Sequence, residues 1–185
     1  MRRYFFPKGY ADRVARLRVP GGFLLVCAFA YFSAPTVHSL AFGIPLSLAG
    51  LMLRAWAAGH LAKNESLANG GPYRWIRNPL YVGTLLVAAG FAIASRNGAL
   101  AALFTAVFLL IYLPVIELEE QHLRKLFAGY AGYAGRVPML VPYKEPINSA
   151  ARFRASLYLR NQEYQALLGY SAGLAWLFWK AGLFG

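Results

Sequence analysis

This 185-residue sequence is poor in charge, and above all in acids: 14% of residues are charged, with 7 Asp plus Glu against 19 Lys plus Arg. A soluble domain usually carries about 25% charged residues, so the composition speaks against one, and equally against a disordered tail. The only aspartate is Asp12, and the only cysteine is Cys27. One thiol excludes an intrachain disulfide framework and any multi-cysteine zinc or iron–sulfur site. His38, His60 and His122 are scattered, without the H-E-x-x-H spacing of a zinc helix, so a metal site is not expected. There is no Walker or G-x-G-x-x-G pattern, no internal repeat and no low-complexity tract.

What is present is apolar: 58% of the residues are hydrophobic, and 16% of the chain is aromatic. Five runs are long enough to propose membrane helices, at about 19–34, 40–61, 79–95, 98–116 and 164–184. The expectation is an all-α, polytopic integral membrane protein of about five transmembrane helices, forming one domain over 1–185. The charge pattern supports alternation. Sixteen of the 19 Lys and Arg fall in 1–18, 62–78 and 117–163, with Arg96 and Lys180 left for the other side and Arg54 inside a run. The positive-inside rule puts the rich side, with the N-terminus, in the cytoplasm. One topology thus absorbs the net charge of +12, and no nucleic-acid partner is needed to explain it. The basic start, apolar run and Ala28-Phe29-Ala30 imitate a signal peptide; keeping the run as a first helix preserves the alternation. Gly169-Tyr170-Ser171-Ala172-Gly173 matches a nucleophile elbow, but inside an apolar helical run it reads as small residues for close packing.

Two clusters fall on the cytoplasmic side. The first is 70–83, where Gly70-Gly71-Pro72 breaks the chain and Pro79 suits the first turn of a helix. Tyr73, Arg74, Trp75 and Arg77 there suit either a lipid-interface anchor or an anion site at the helix start. The second is Glu117-Leu118-Glu119-Glu120, three of the 7 acids, expected where the fourth helix ends. Acids at a helix C-terminus oppose its dipole, which a merely solvated helix end does not explain. Arg54 is a charge within a predicted membrane helix and so a functional candidate, unless it snorkels to the interface.

Pro72-Tyr73-Arg74 followed by Arg77-Asn78-Pro79-x-Tyr81-x-Gly83 resembles the G-P-Y-R-x-x-R-[HN]-P-x-Y-x-G signature of the isoprenylcysteine carboxyl methyltransferases, relatives of the phospholipid methyltransferases. Glu119-Glu120-x-x-Leu123 resembles that family's acidic pair. Tyr130-x-x-Tyr133-x-x-x-Val137-Pro138-x-x-x-Pro142 resembles its tail. The resemblance covers about 54–142. Two departures bear on the acceptor: Phe127-Ala128-Gly129-Tyr130 is one residue short of F-G-x-x-Y, and Asn78 stands where the eukaryotic enzymes have histidine.

The resemblance implies S-adenosylmethionine as cofactor and a membrane-embedded, lipid-like acceptor, first a prenylcysteine-like carboxylate. It implies cofactor contacts from Tyr73, Arg77, Asn78, Tyr81, Glu119, Glu120 and Tyr130, with Arg77 and Arg54 as catalytic candidates. Ala57, Ala58, Ala88, Ala89 and Gly90 either leave room for a slender tail or only permit close helix packing. N-methylation of a phosphatidylethanolamine-type lipid keeps the same cofactor and changes the acceptor. A non-catalytic scaffold or transporter subunit is the third reading; a transporter more often shows repeats or acids near mid-membrane.

Overall fold

The computed structural model describes residues 5–183. Arg2 and Arg3 of the basic opening segment, and Phe184 at the end of the fifth run, lie outside the described residues. The described residues form helices and loops, without a strand: α1 (Lys8–Phe32), α2 (Val37–Ala58), α3 (Pro79–Ser95), α4 (Gly98–Val107), a π-helical stretch (Phe108–Tyr112), α5 (Leu113–Leu126), α6 (Tyr130–Arg136), α7 (Ala155–Arg160) and α8 (Tyr164–Lys180).

The α2–α3 hairpin is the most extensively packed helix pair. Its two helices run antiparallel and close on glycines. A Cβ on Gly43 would lie 2.4 Å from the Gly90 carbonyl oxygen, and one on Gly50 would lie 2.6 Å from that of Gly83. Only glycine lets the two backbones approach this closely. Thr36 and Ser39 cap the start of α2 reciprocally, and the Ser39 hydroxyl also donates to the Ala94 carbonyl at 2.8 Å. At the same end, the Lys180 ammonium donates to the carbonyls of Ala30, Tyr31 and Ser33. A cation there meets the negative end of α1 and ties α8 to it.

The fourth run does not stop at 116. α4, the π-helical stretch and α5 follow one helical path from Gly98 to Leu126, 29 residues long. The acids therefore sit inside a helix whose last turn carries Arg124 and Lys125, not at its C-terminus. The π widening has a local cause. Pro114 has no N–H for the Leu110 carbonyl one turn back, and the Tyr10 hydroxyl donates to that carbonyl instead, at 2.7 Å. The first run likewise begins earlier than expected, at Lys8, and bends by 51° between Lys8–Leu17 and Val19–Phe32, where Pro20 interrupts the ladder.

Two helices, Val37–Ala58 and Gly98–Leu126, are long and apolar enough to cross a membrane, and α1 makes a third where its two bent parts count as one span. α3 and α8 have 17 residues each, short of that length. Phe23, Leu24, Phe42, Met52 and Leu168 are all exposed, a distribution that suits hydrocarbon surroundings rather than water.

The three basic segments meet at one end of the bundle. Glu117 accepts from the Phe5 and Phe6 amides, the Arg154 amide donates to the Gly59 carbonyl, and the Ile147 amide donates to that of Arg74. The turns near Ala34 and Arg96 meet at the other end, where the Ala34 amide donates to the Ser95 carbonyl.

Candidate functional site

The loop entering α3 is held in place by its backbone. Gly71, at φ +52, takes a left-handed conformation that a side chain disfavours, and a Cβ there would strike the His60 ring. The chain then makes one 3-10 turn, Gly71–Arg74. The Arg77 amide donates to the Pro138 carbonyl at 2.8 Å and the Asn78 amide to that of Met139 at 3.2 Å. Tyr133 on α6 donates its hydroxyl to the Tyr73 carbonyl at 2.8 Å. The loop before α3 is thereby pinned to α6 and to the segment after it.

Arg77 closes this junction. Its Nε and Nη2 fork onto Glu120 at 2.7 and 2.9 Å. Its Nη1 donates to the carbonyls of Ala134 and Val137 at 2.9 and 2.8 Å. Asn78 Nδ2 adds a third bond to Glu120 at 3.0 Å. The carboxylate that Arg77 grips is thus the protein's own. Both side chains are nearly buried, at 7% and 11% exposure. Burial works against the guanidinium charge, but hydrogen bonds and charge from Glu120 more than offset it, so the pKa of Arg77 moves up.

The three clustered glutamates each take a different partner. Glu117 holds the amides before α1, Glu119 accepts from the Tyr81 hydroxyl at 2.9 Å, and Glu120 holds Arg77. Tyr81 packs edge-on to Tyr112, with ring centroids 6.1 Å apart. Arg124 lies over the Tyr130 ring at 5.3 Å. Tyr130 is 1% exposed, and its hydroxyl has no hydrogen bond among the described residues.

Arg54 belongs to a second cluster. It forks onto Glu163 at 2.6 and 3.0 Å and donates to the Thr84 hydroxyl. Sequence reasoning missed Glu163 and Thr84. No motif marks either, and Glu163 stands 109 positions from Arg54. Tyr73 lies between the clusters, within electrostatic reach of Glu119, Glu163 and Arg54.

A cavity of about 550 Å³ runs between α3 and α4. Thr84 and Tyr112 line it near the Tyr81–Glu119 pair; Ala88, Ala92 and Phe104 line its middle; Arg96 and Asn97 lie at the far end. Ala88 and Ala89 line the cavity. Ala57 and Ala58 do not; they are fully buried. Gly90 is taken up by its contact with Gly43.

Burial raises the pKa of Tyr73, Tyr130 and Tyr133 above the ordinary phenol value, and neighbouring carboxylates add to the effect. Each holds its proton more tightly in the folded chain. The stability this contributes is intact below about pH 10 and is lost as pH rises above it, at up to about 1.4 kcal/mol per pH unit for each tyrosine. Melting temperature should therefore fall steeply above pH 10. Tyr130→Phe should make that fall shallower; an unchanged alkaline slope in this variant would contradict the assignment.

The family model of the phospholipid methyltransferases matches residues 38–129. That match, over just under half of the chain, supports the resemblance read from the motifs. It is 35% identical over 102 residues to a cobalt-zinc-cadmium resistance protein of Cupriavidus metallidurans, covering 54% of this chain and 46% of that protein. It is 26% identical over 141 residues to the protein-S-isoprenylcysteine O-methyltransferase of Schizosaccharomyces pombe, covering 73% of this chain and 59% of that protein. The chain thus spans about half the length of the curated relatives it matches. No solved structure matches it. Among the described residues no three His, Cys, Asp or Glu side chains are grouped to hold a metal ion.

Proposed function

We propose that the protein transfers a methyl group from S-adenosylmethionine to the head of a lipid-like acceptor whose tail lies in the α3–α4 cavity. The observation that carries this reading is the Arg77–Glu120 clamp, which joins the two motif clusters beside one end of an apolar cavity. The residues present fit the cofactor. Glu119 and the unfilled Tyr130 hydroxyl suit an ammonium and ribose hydroxyls, while Tyr73, Tyr81 and Tyr112 offer aromatic faces to the sulfonium and adenine. S-adenosylmethionine supplies a methyl already activated on a sulfonium. The chain's own task is alignment and exclusion of water: Arg77, Asn78 and Glu120 fix the start of α3 against α5, and the tyrosines wall the site. In this reading Arg77 and Arg54 serve catalysis, and the site end of the bundle faces the cytoplasm.

The acceptor head is proposed to be a prenylcysteine-like carboxylate, as the isoprenylcysteine motifs imply. An amine head is the second reading, and one observation favours it. Both site arginines are already forked onto glutamates, and an amine requires no arginine.

The test is transfer of labelled methyl by the full chain in lipid nanodiscs. Carboxylate and amine heads are compared on one tail, each also offered without the tail. Methylation of the tailed carboxylate well above its tail-less form is expected. Transfer only to the tailed amine would exchange the head group. Equal kcat/KM with and without tails would reject the cavity as the tail site, and no transfer to any lipid would reject the reading.

A further inference from the structure

Glu163 is a buried acid that neither sequence motif includes, at the N-cap of α8 and beyond the matched residues 38–129. It is 7% exposed. The chain is bent to deliver it. Gln162, immediately before it, takes a left-handed backbone at φ 55, a conformation that costs a non-glycine residue free energy and is retained where the surroundings impose it. The approach is anchored on α2: the Asn161 amide group donates to the carbonyls of Ala58 and Leu61 at 3.0 and 2.9 Å, and the Arg154 amide donates to that of Gly59 at 2.9 Å.

From Glu163 a line of hydrogen bonds crosses three helices. Its carboxylate takes Nε and Nη2 of Arg54. Nη1 of Arg54 turns to the Thr84 hydroxyl, which donates to the Leu80 carbonyl at 2.9 Å. Thr84 lines the cavity. Leu80 belongs to the first turn of α3, next to Tyr81, whose hydroxyl reaches Glu119. A buried ion pair adds little stability compared with apolar side chains of the same volume. What Glu163 adds is direction: with two guanidinium nitrogens fixed, the third can only point at the cavity wall.

We propose that Glu163 is a positioning residue for methyl transfer. It holds Arg54 against Thr84 and so sets the wall of the cavity where the acceptor head meets the Tyr81–Glu119 pair. α8 thereby takes part in acceptor recognition while leaving the cofactor's contacts alone. The inference rests on the methyl-transfer reading above for its kinetic part.

The experiment uses the full chain in nanodiscs with three variants: Glu163→Gln, Arg54→Lys, and the exchange Arg54→Glu with Glu163→Arg. Three quantities are read: kcat and KM for the acceptor, Kd for S-adenosylhomocysteine, and Kd for a single-tailed fluorescent fatty acid as a probe of the cavity. Glu163→Gln and Arg54→Lys should raise acceptor KM and probe Kd about tenfold. Both should leave the S-adenosylhomocysteine Kd within about threefold of wild type, and the exchange should recover part of the loss. A fall in melting temperature alone, or an equal loss of probe and S-adenosylhomocysteine binding, would overturn the positioning role. Should the wild type transfer no methyl, the functional reading falls, and the probe still reports whether Glu163 shapes the cavity.

Discussion

Glu120→Ala is expected to destabilise the protein by about 3–5 kcal/mol and to abolish binding of S-adenosylhomocysteine. The size follows from what the substitution leaves behind. Arg77 would keep its charge at 7% exposure with its fork empty, and removing one partner of a buried pair typically costs that much. The total stability of a domain is about 5–15 kcal/mol. The loss is also local to the site. Glu120 accepts from Arg77 and Asn78, so the start of α3 would come away from α5, and Arg77 would be left with the carbonyls of Ala134 and Val137. Glu119→Ala makes the contrast, since that carboxylate is exposed and bonds the Tyr81 hydroxyl. It should weaken cofactor-product binding by about 1.5–3 kcal/mol, roughly tenfold to hundredfold, and lower the melting temperature far less. Thermal unfolding and calorimetry in one detergent separate the two. A Glu120→Ala protein that melts with the wild type would show that the clamp does not hold the fold.

The two variants differ for a reason that sequence alone could not supply. The spacing of Arg77-Asn78-Pro79 and Glu119-Glu120 marked both clusters, and the grouping of the basic segments foretold that they meet at one end of the bundle. The partners were not legible. On an ideal helix Glu117 and Glu120 share a face, yet in the fold Glu117 holds the backbone before α1 and Glu120 holds Arg77. Which carboxylate meets which group depends on how α1 and α3 pack around α5, and no local pattern encodes that. The π-helical stretch was hidden for a similar reason. Pro114 announces a missing donor, but only the folded chain brings Tyr10 to the Leu110 carbonyl and lets the helix continue to Leu126. For the small residues, composition left space and close packing as alternatives, and the fold divides them. Gly90 and the alanines at 57 and 58 are filled by neighbouring helices, whereas Ala88, of the same type and in the same hairpin, faces the cavity.

Ala88→Phe should therefore sharply reduce the use of long-tailed acceptors with little effect on the cofactor. Thr84, Ala88 and Ala92 follow one another at four-residue spacing along the cavity side of α3, and a phenyl ring at the middle position closes the passage between Thr84 and Ala92. Each methylene of a bound tail contributes about 0.8 kcal/mol. Excluding about four of them costs about 3 kcal/mol, on the order of a hundredfold in kcat/KM. The Arg77–Glu120 clamp lies outside the set of residues lining the cavity, so the Kd for S-adenosylhomocysteine should stay within about twofold of wild type. Leu24→Phe serves as the control, because Leu24 is 71% exposed on α1 and outside the cavity lining; it should leave both quantities unchanged. The sharper comparison varies the tail. Acceptors short enough to end before Ala88 should be used equally well by wild type and Ala88→Phe, and the two proteins should diverge as the tail lengthens past that point. A constant ratio of kcat/KM across all tail lengths would mean that the tail lies elsewhere, on the outer surface of the helices rather than between them.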